Sequence, residues 1–178
     1  MLTVSSLFAC LISVSSIISI PIPGPVPVTL QVFAIFLVSM ILGPKISTLA
    51  CSIYLLFGSM GLPVFAGMTS GLAILFGPTG GYLFGFVAGS FLGGIACRKK
   101  ARSKSYDLLR LCLSAIASLL TIYLIGALWL SFYLGISLNY AFLIGVAPFV
   151  PIDALKAAFA VSIALQLRWS HFPIPITL

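Results

Sequence analysis

The chain has 178 residues, of which 61% are hydrophobic and only 6% charged, with a formal net charge of +7 and two acidic side chains. A soluble domain carries roughly 25% charged residues, so the composition excludes a water-soluble globular protein and points to an integral membrane protein. At about 20 residues per bilayer span the length allows roughly five to seven spans, with no room for a nucleotide-binding or soluble catalytic domain.

Leu2 to Ile20 is largely apolar, with no Lys or Arg before it and no small-residue cleavage site after it. It therefore reads as a first span, about 3–20, rather than as a secretory signal. Pro21-Ile22-Pro23-Gly24-Pro25-Val26-Pro27 ends it, because prolines lack the N–H and clash with the preceding turn. Span 2 covers about 29–42 and stops at Gly43-Pro44-Lys45, and span 3 covers about 46–59. An apolar stretch from Met60 to Gly81 follows, broken by Gly61, Pro63, Gly67, Gly71, Gly77 and Pro78. Irregular backbone at membrane depth is tolerated where protein buries it or a cavity lies beside it, which makes such a stretch a pointer to a binding site. Spans 4, 5 and 6 cover about 80–97, 108–131 and 149–168. The predicted fold is an all-α bundle of six transmembrane helices in a single domain over 1–178.

Arg98, Lys99, Lys100, Arg102 and Lys104 crowd one loop, as expected of a topology signal rather than of a nucleic-acid surface. With that loop in the cytoplasm, six spans put both termini, Lys45 and Arg168 on the same side. Arg110, one turn into span 5, can snorkel there too. The expected location is a bacterial cytoplasmic membrane, crossed several times, with anionic lipid head groups near the basic loop. Every basic residue then lies inside except Lys156. The proline-rich loop, the broken 60–81 stretch and the start of span 6 converge on the outer face.

Asp153 and Lys156 stand three residues apart in Pro148-Phe149-Val150-Pro151-Ile152-Asp153-Ala154-Leu155-Lys156. An ionisable residue in a span costs roughly 2.5–3.5 kcal/mol on insertion scales. A first-turn Asp that complements the helix dipole, with an i+3 Lys partner, accounts for the aspartate. It does not account for a lysine on the outer side. The pair is therefore the leading candidate for holding a polar ligand through charge-assisted hydrogen bonds. Gly77-Pro78-Thr79-Gly80-Gly81-Tyr82 lacks the Gly-Lys-Ser/Thr ending of a phosphate loop, and Tyr82 is either a ligand-facing ring or an interfacial one. Cys10, Cys51, Cys97 and Cys112 form no C-x-x-C pair, and with one histidine, His171, no metal site is expected. No nucleophile stands beside a base, so no enzyme activity is expected. A channel would want polar residues along several spans. The Ala9-x-x-x-Ser13 pair in span 1 can dock another helix, inside the bundle or outside it.

Several stretches taken together resemble the BioY family of biotin transporters, the substrate-binding S components of energy-coupling-factor (ECF) transporters. They are Ile20-Pro21-Ile22-Pro23 with Pro25-Val26-Pro27-Val28-Thr29-Leu30-Gln31, Leu42-Gly43-Pro44-Lys45, Gly61-Leu62-Pro63-Val64-Phe65-Ala66-Gly67, Gly71-Leu72-Ala73, Gly77 to Leu83, and Pro148-Phe149-Val150-Pro151-x-Asp153-x-x-Lys156. The resemblance implies a six-helix bundle with a biotin pocket near the outer surface, closed by the loop after span 1 and roofed by the loop after span 3. It implies that Asp153 accepts from the ureido N–H groups and Lys156 serves the ureido oxygen. Thr29, Gln31, Tyr82 and the Gly67–Gly71 stretch would line the pocket, with Phe65 and Phe149 as walls for the thiophane ring and valeryl chain. It further implies either an ECF coupling protein and ATPase subunits as partners, docked through Ala9 and Ser13, or uptake without a dedicated energising module; no cofactor is expected. The chain departs from the family pattern at Ile152, where Gly is frequent, and at Ser13, where Ala is common. The alternative is an S component for another small vitamin.

Overall fold

The computed structural model describes residues 1–21, 24–97 and 101–170. Ile22-Pro23, Arg98-Lys99-Lys100 and the tail from His171 lie outside them, and so do parts of the proline-rich run and of the basic cluster. Helix α1 spans Leu2–Ile17, so it ends three residues before the predicted span does. The chain then extends, and β1 (Ser19–Ile20) pairs antiparallel with β2 (Val28–Thr29), Ser19 opposite Thr29. This two-stranded ribbon brings Pro25, Val26 and Pro27 to the end of the bundle, beside α2.

Helix α2 runs over Gln31–Ser59 and is broken at Gly43, whose φ of 73° and ψ of −177° are non-helical. Only glycine adopts that conformation without strain, and the following Pro44 has no N–H with which to donate a helical hydrogen bond. A straight helix would separate Gln31 from Tyr54 by about 35 Å at 1.5 Å per residue. Instead the Gln31 side-chain amide donates to the Tyr54 hydroxyl. The helix therefore folds back at Gly43 into two arms, 31–42 and 44–59, matching the two short predicted spans.

A 3-10 turn at Ala66–Met68 and the single-turn helix α3 (Leu72–Leu75) interrupt the next stretch. Helix α4 covers Gly80–Ala96 and α5 covers Lys104–Leu134. α5 outruns its predicted span at both ends: the Ser103 hydroxyl caps it by accepting from the Tyr106 N–H at 3.3 Å, and Gly135 ends it in the left-handed region at φ 65°. Between the predicted spans 108–131 and 149–168, where no helix is expected, stands an eight-residue helix, α6 (Leu138–Gly145), capped by Ser137. Helix α7 is Val150–Trp169, with Pro151 in its first turn.

α4 meets α5 through a stripe of glycines. A Cβ at Gly81 would run into Trp129 of α5, one at Gly89 into Ile122 and Ser118, and one at Gly93 into Ser118, while one at Gly85 would press on Ile122. The close approach lets Ser118 and Ser114 donate to the carbonyls of Gly89 and Gly93, each at 2.8 Å. Small residues and hydroxyl bridges are the usual adhesive between helices in lipid. Leu109, Leu113, Ile116, Leu120, Leu124 and Leu128 form an exposed apolar face on the other side of α5. α5 and α7 are each long and apolar enough to cross a membrane, α2 reaches that length only with its two arms counted together, and α1 and α4 are shorter apolar helices.

Candidate functional site

The end of the bundle that carries the ribbon contains a cavity of about 300 Å³. Its wall draws on the proline loop, the 60–81 stretch, and α2, α4, α5 and α7. Thr29, Gln31, Phe65, Tyr82, Phe149, Asp153 and Lys156, the seven residues expected to line a pocket, all border it.

Asp153 sits in the first turn of α7, 3% exposed, with its N–H bonded to the Phe149 carbonyl at 2.8 Å. One carboxylate oxygen accepts from Lys156 Nζ at 2.7 Å, and the other accepts from the Tyr123 hydroxyl at 2.8 Å. Lys156 reaches Asp153 because i and i+3 share a helix face. Its ammonium also donates to the Thr29 carbonyl at 2.7 Å, which ties α7 to the ribbon. A lysine has three N–H donors and a carboxylate has about four lone-pair positions. One donor on Lys156 and one position on each oxygen of Asp153 are thus left for a guest.

Tyr82 donates its hydroxyl to the Gly145 carbonyl at 2.7 Å, and Gly126 and Gly145 leave the space its ring occupies. Gln31 accepts from the Thr29 hydroxyl at 3.1 Å while donating to Tyr54. Phe65 is fully buried, edge-on to Tyr54 with ring centroids 5.5 Å apart, over a glycine, Gly58, that has no Cβ to obstruct it. Within the Gly67–Gly71 stretch it is Thr69 that borders the cavity. The result is an apolar chamber with one charged corner, the usual composition of a small-molecule site.

Two residues of the site were not foreseen. Tyr123 orients Asp153 from α5, and Tyr54 anchors Gln31 from the second arm of α2. A hydroxyl in mid-span is the only sequence signal either offers. Ala9 and Ser13 lie on the inner side of α1. They are 0% and 8% exposed, on the same inward face as Ser5, Ile12 and Ser16. Ser5 donates to Ile46 of α2 at 3.5 Å and Ser16 donates to Val64. This inward face packs α1 into its own bundle, and the outward face presents Leu7, Leu11 and Val14.

At the other end of the bundle Arg168 and Asp107 form a second, fully buried pair. Nε and Nη2 donate to the two carboxylate oxygens at 3.0 and 3.1 Å, and Nη1 donates to the carbonyls of Met40 and Cys97. Asp107 also accepts from the Trp169 indole and the Ala101 N–H, each at 3.1 Å.

The sequence pattern of the BioY family matches residues 1–172. The chain belongs to the BioY family. The biotin transporter BioY of Thermotoga maritima is 45% identical over 164 residues, covering 92% of this chain and 93% of its own length. Biotin transporter BioY2 of Lactococcus lactis is 38% identical over 166 residues, covering 93% of this chain and 88% of its own. The crystal structure of an S-component for biotin from an ECF-type ABC transporter superposes with a TM-score of 0.83 at 32% identity, over 95% of this chain and 90% of that one. The bundle described above is thus the fold of that S component.

Proposed function

We propose that the protein captures biotin at the outer face of the cytoplasmic membrane and serves as the S component of an ECF-type uptake system. The half-satisfied pair at the cavity carries this reading. A cyclic urea offers two N–H donors and one carbonyl acceptor. Asp153 has one open acceptor position on each oxygen, and Lys156 has one open donor. Charge-assisted bonds of this kind are about twice as strong as neutral ones. Tyr82, Thr29 and Gln31 frame the ring, and Phe65 and Phe149 face the apolar parts of the ligand. The relatives support the choice of ligand, since they are named as biotin transporters.

The protein acts as a binder and carrier rather than as an enzyme. The cavity end faces outward, and both termini and the Lys45, Arg102 and Lys104 end face the cytoplasm, as the bias of basic residues requires. The apolar outer face of α5 lies against lipid. An ECF coupling protein and ATPase subunits supply the energy for uptake.

Isothermal titration of the purified protein in detergent tests the reading, with riboflavin and thiamine as controls. The expected result is saturable binding of biotin alone. A folded sample that takes up no biotin would refute it.

A further inference from the structure

We infer that the cavity grips the ring end of its ligand by charge and leaves the opposite end without a counter-ion, so that neutral amides and esters of biotin bind about as well as biotin. This rests on the biotin reading above and extends it to a ligand class.

Among the described residues that line the cavity, only Asp153 and Lys156 are charged, and they are bonded to each other at 2.7 Å. The corner is therefore neutral as a unit. A ligand carboxylate drawn inside would leave one uncompensated negative charge in a largely apolar wall, a burial that proteins avoid. Lys156 has no charge to spare for it, because two of its three donors are taken by Asp153 and the Thr29 carbonyl.

The other cations among the described residues are too distant. Arg110 precedes Tyr123 on the continuous helix α5 by 13 residues, about 20 Å. Arg168 follows Lys156 on α7 by 12 residues, about 18 Å, and is held by Asp107. Lys45 and the 101–104 segment stand at the same far end, beyond the Gly43 break and the end of α4. The start of α4 does border the cavity, at Pro78 and Thr79. Its Gly80, Tyr82 and Leu83 amides already donate to the carbonyls of Gly77 and Thr79. With the ureido group at Asp153 and Lys156, the ligand's carboxylate is left to water at the unsealed side of the cavity. A charge that stays in water adds little to affinity, and removing it takes little away.

Competition binding on the full chain in detergent decides the matter, using labelled biotin against biotin, biotinamide, biotin methyl ester and protonated 2-iminobiotin. The amide is nearly isosteric with the acid, and the imino compound changes only the ring end. The amide and ester are expected to compete within about 5-fold of biotin, and iminobiotin to be weakened by about 100-fold or more, since it brings a positive charge to Lys156. If biotin binds but biotinamide is weaker by about 50-fold or more, a counter-ion reaches the carboxylate and the inference falls. Iminobiotin binding as well as biotin would overturn the charged grip. If biotin itself does not bind, the functional reading fails, and this inference fails with it.

Discussion

Asp107 and Asp153 are the chain's two acidic residues, and each is bonded to a basic side chain of α7. The Asp107 carboxylate has four donors: two from Arg168, one from Trp169 and one from the Ala101 backbone. Arg168 spends four of its five N–H groups, two on Asp107 and two on the carbonyls of Met40 and Cys97. Asp153 has two donors, and Lys156 has made two bonds. The difference is saturation. A pair whose carboxylate is filled and whose guanidinium is nearly so by its own chain locks the start of α5, the end of α4, the Gly43 elbow and the end of α7 together. A pair with vacancies, facing a cavity, is incomplete until a ligand arrives.

Replacing Asp107 with Ala should give the largest effect. Arg168 would stay buried with no counter-charge, and breaking a buried pair costs about 3–5 kcal/mol. Thermal unfolding in detergent should report a large loss of Tm, while ligand affinity in whatever remains folded should change little. A variant as stable as the parent would remove the idea of a lock.

Asp153→Ala should invert that pattern. Biotin affinity is expected to fall by about 2–5 kcal/mol, because Lys156 loses its partner and the ureido N–H groups lose their acceptor. Stability should change far less, since Lys156 keeps the Thr29 carbonyl. Unchanged affinity by titration would assign this pair, too, to structure.

The two pairs also differ in how far the sequence exposes them. Asp153 and Lys156 lie within one helical turn, so their contact follows from the spacing alone. Asp107 and Arg168 are 61 residues apart, and topology indicates only that both belong at one end. The Gly43-Pro44 elbow is legible because two residues carry it locally. Helix α6 is not, because eight residues of mixed character between two long spans resemble a loop. Ala9 and Ser13 mark a close helix contact, but a small-residue pair does not say which helix it meets. Tyr123 is hidden for a related reason: a tyrosine in an apolar span looks like packing until Asp153 is found opposite its hydroxyl.

Tyr123 and Trp169 allow a matched test, since each gives one neutral N–H or O–H to one aspartate. Tyr123→Phe removes the 2.8 Å bond to Asp153. It should weaken biotin by about 1.5–3 kcal/mol, the range for a hydrogen bond to a charged group, because the carboxylate loses the group that orients it. Titration checks this, and an affinity equal to that of the parent would show that Lys156 orients the carboxylate alone.

Trp169→Phe removes the corresponding 3.1 Å bond to Asp107 and should have the smallest effect. Three donors remain on that carboxylate, two of them from a guanidinium in fixed register. The expected loss is about 1 kcal/mol of stability, a fall in Tm of roughly 2–4 °C for a chain of this size. Ligand affinity should not move, because the change lies at the far end of α7 from the cavity. An affinity loss as large as that of Tyr123→Phe would mean that the two ends communicate through α7. The saturated pair would then belong to the binding site's own equilibrium rather than to a separate lock.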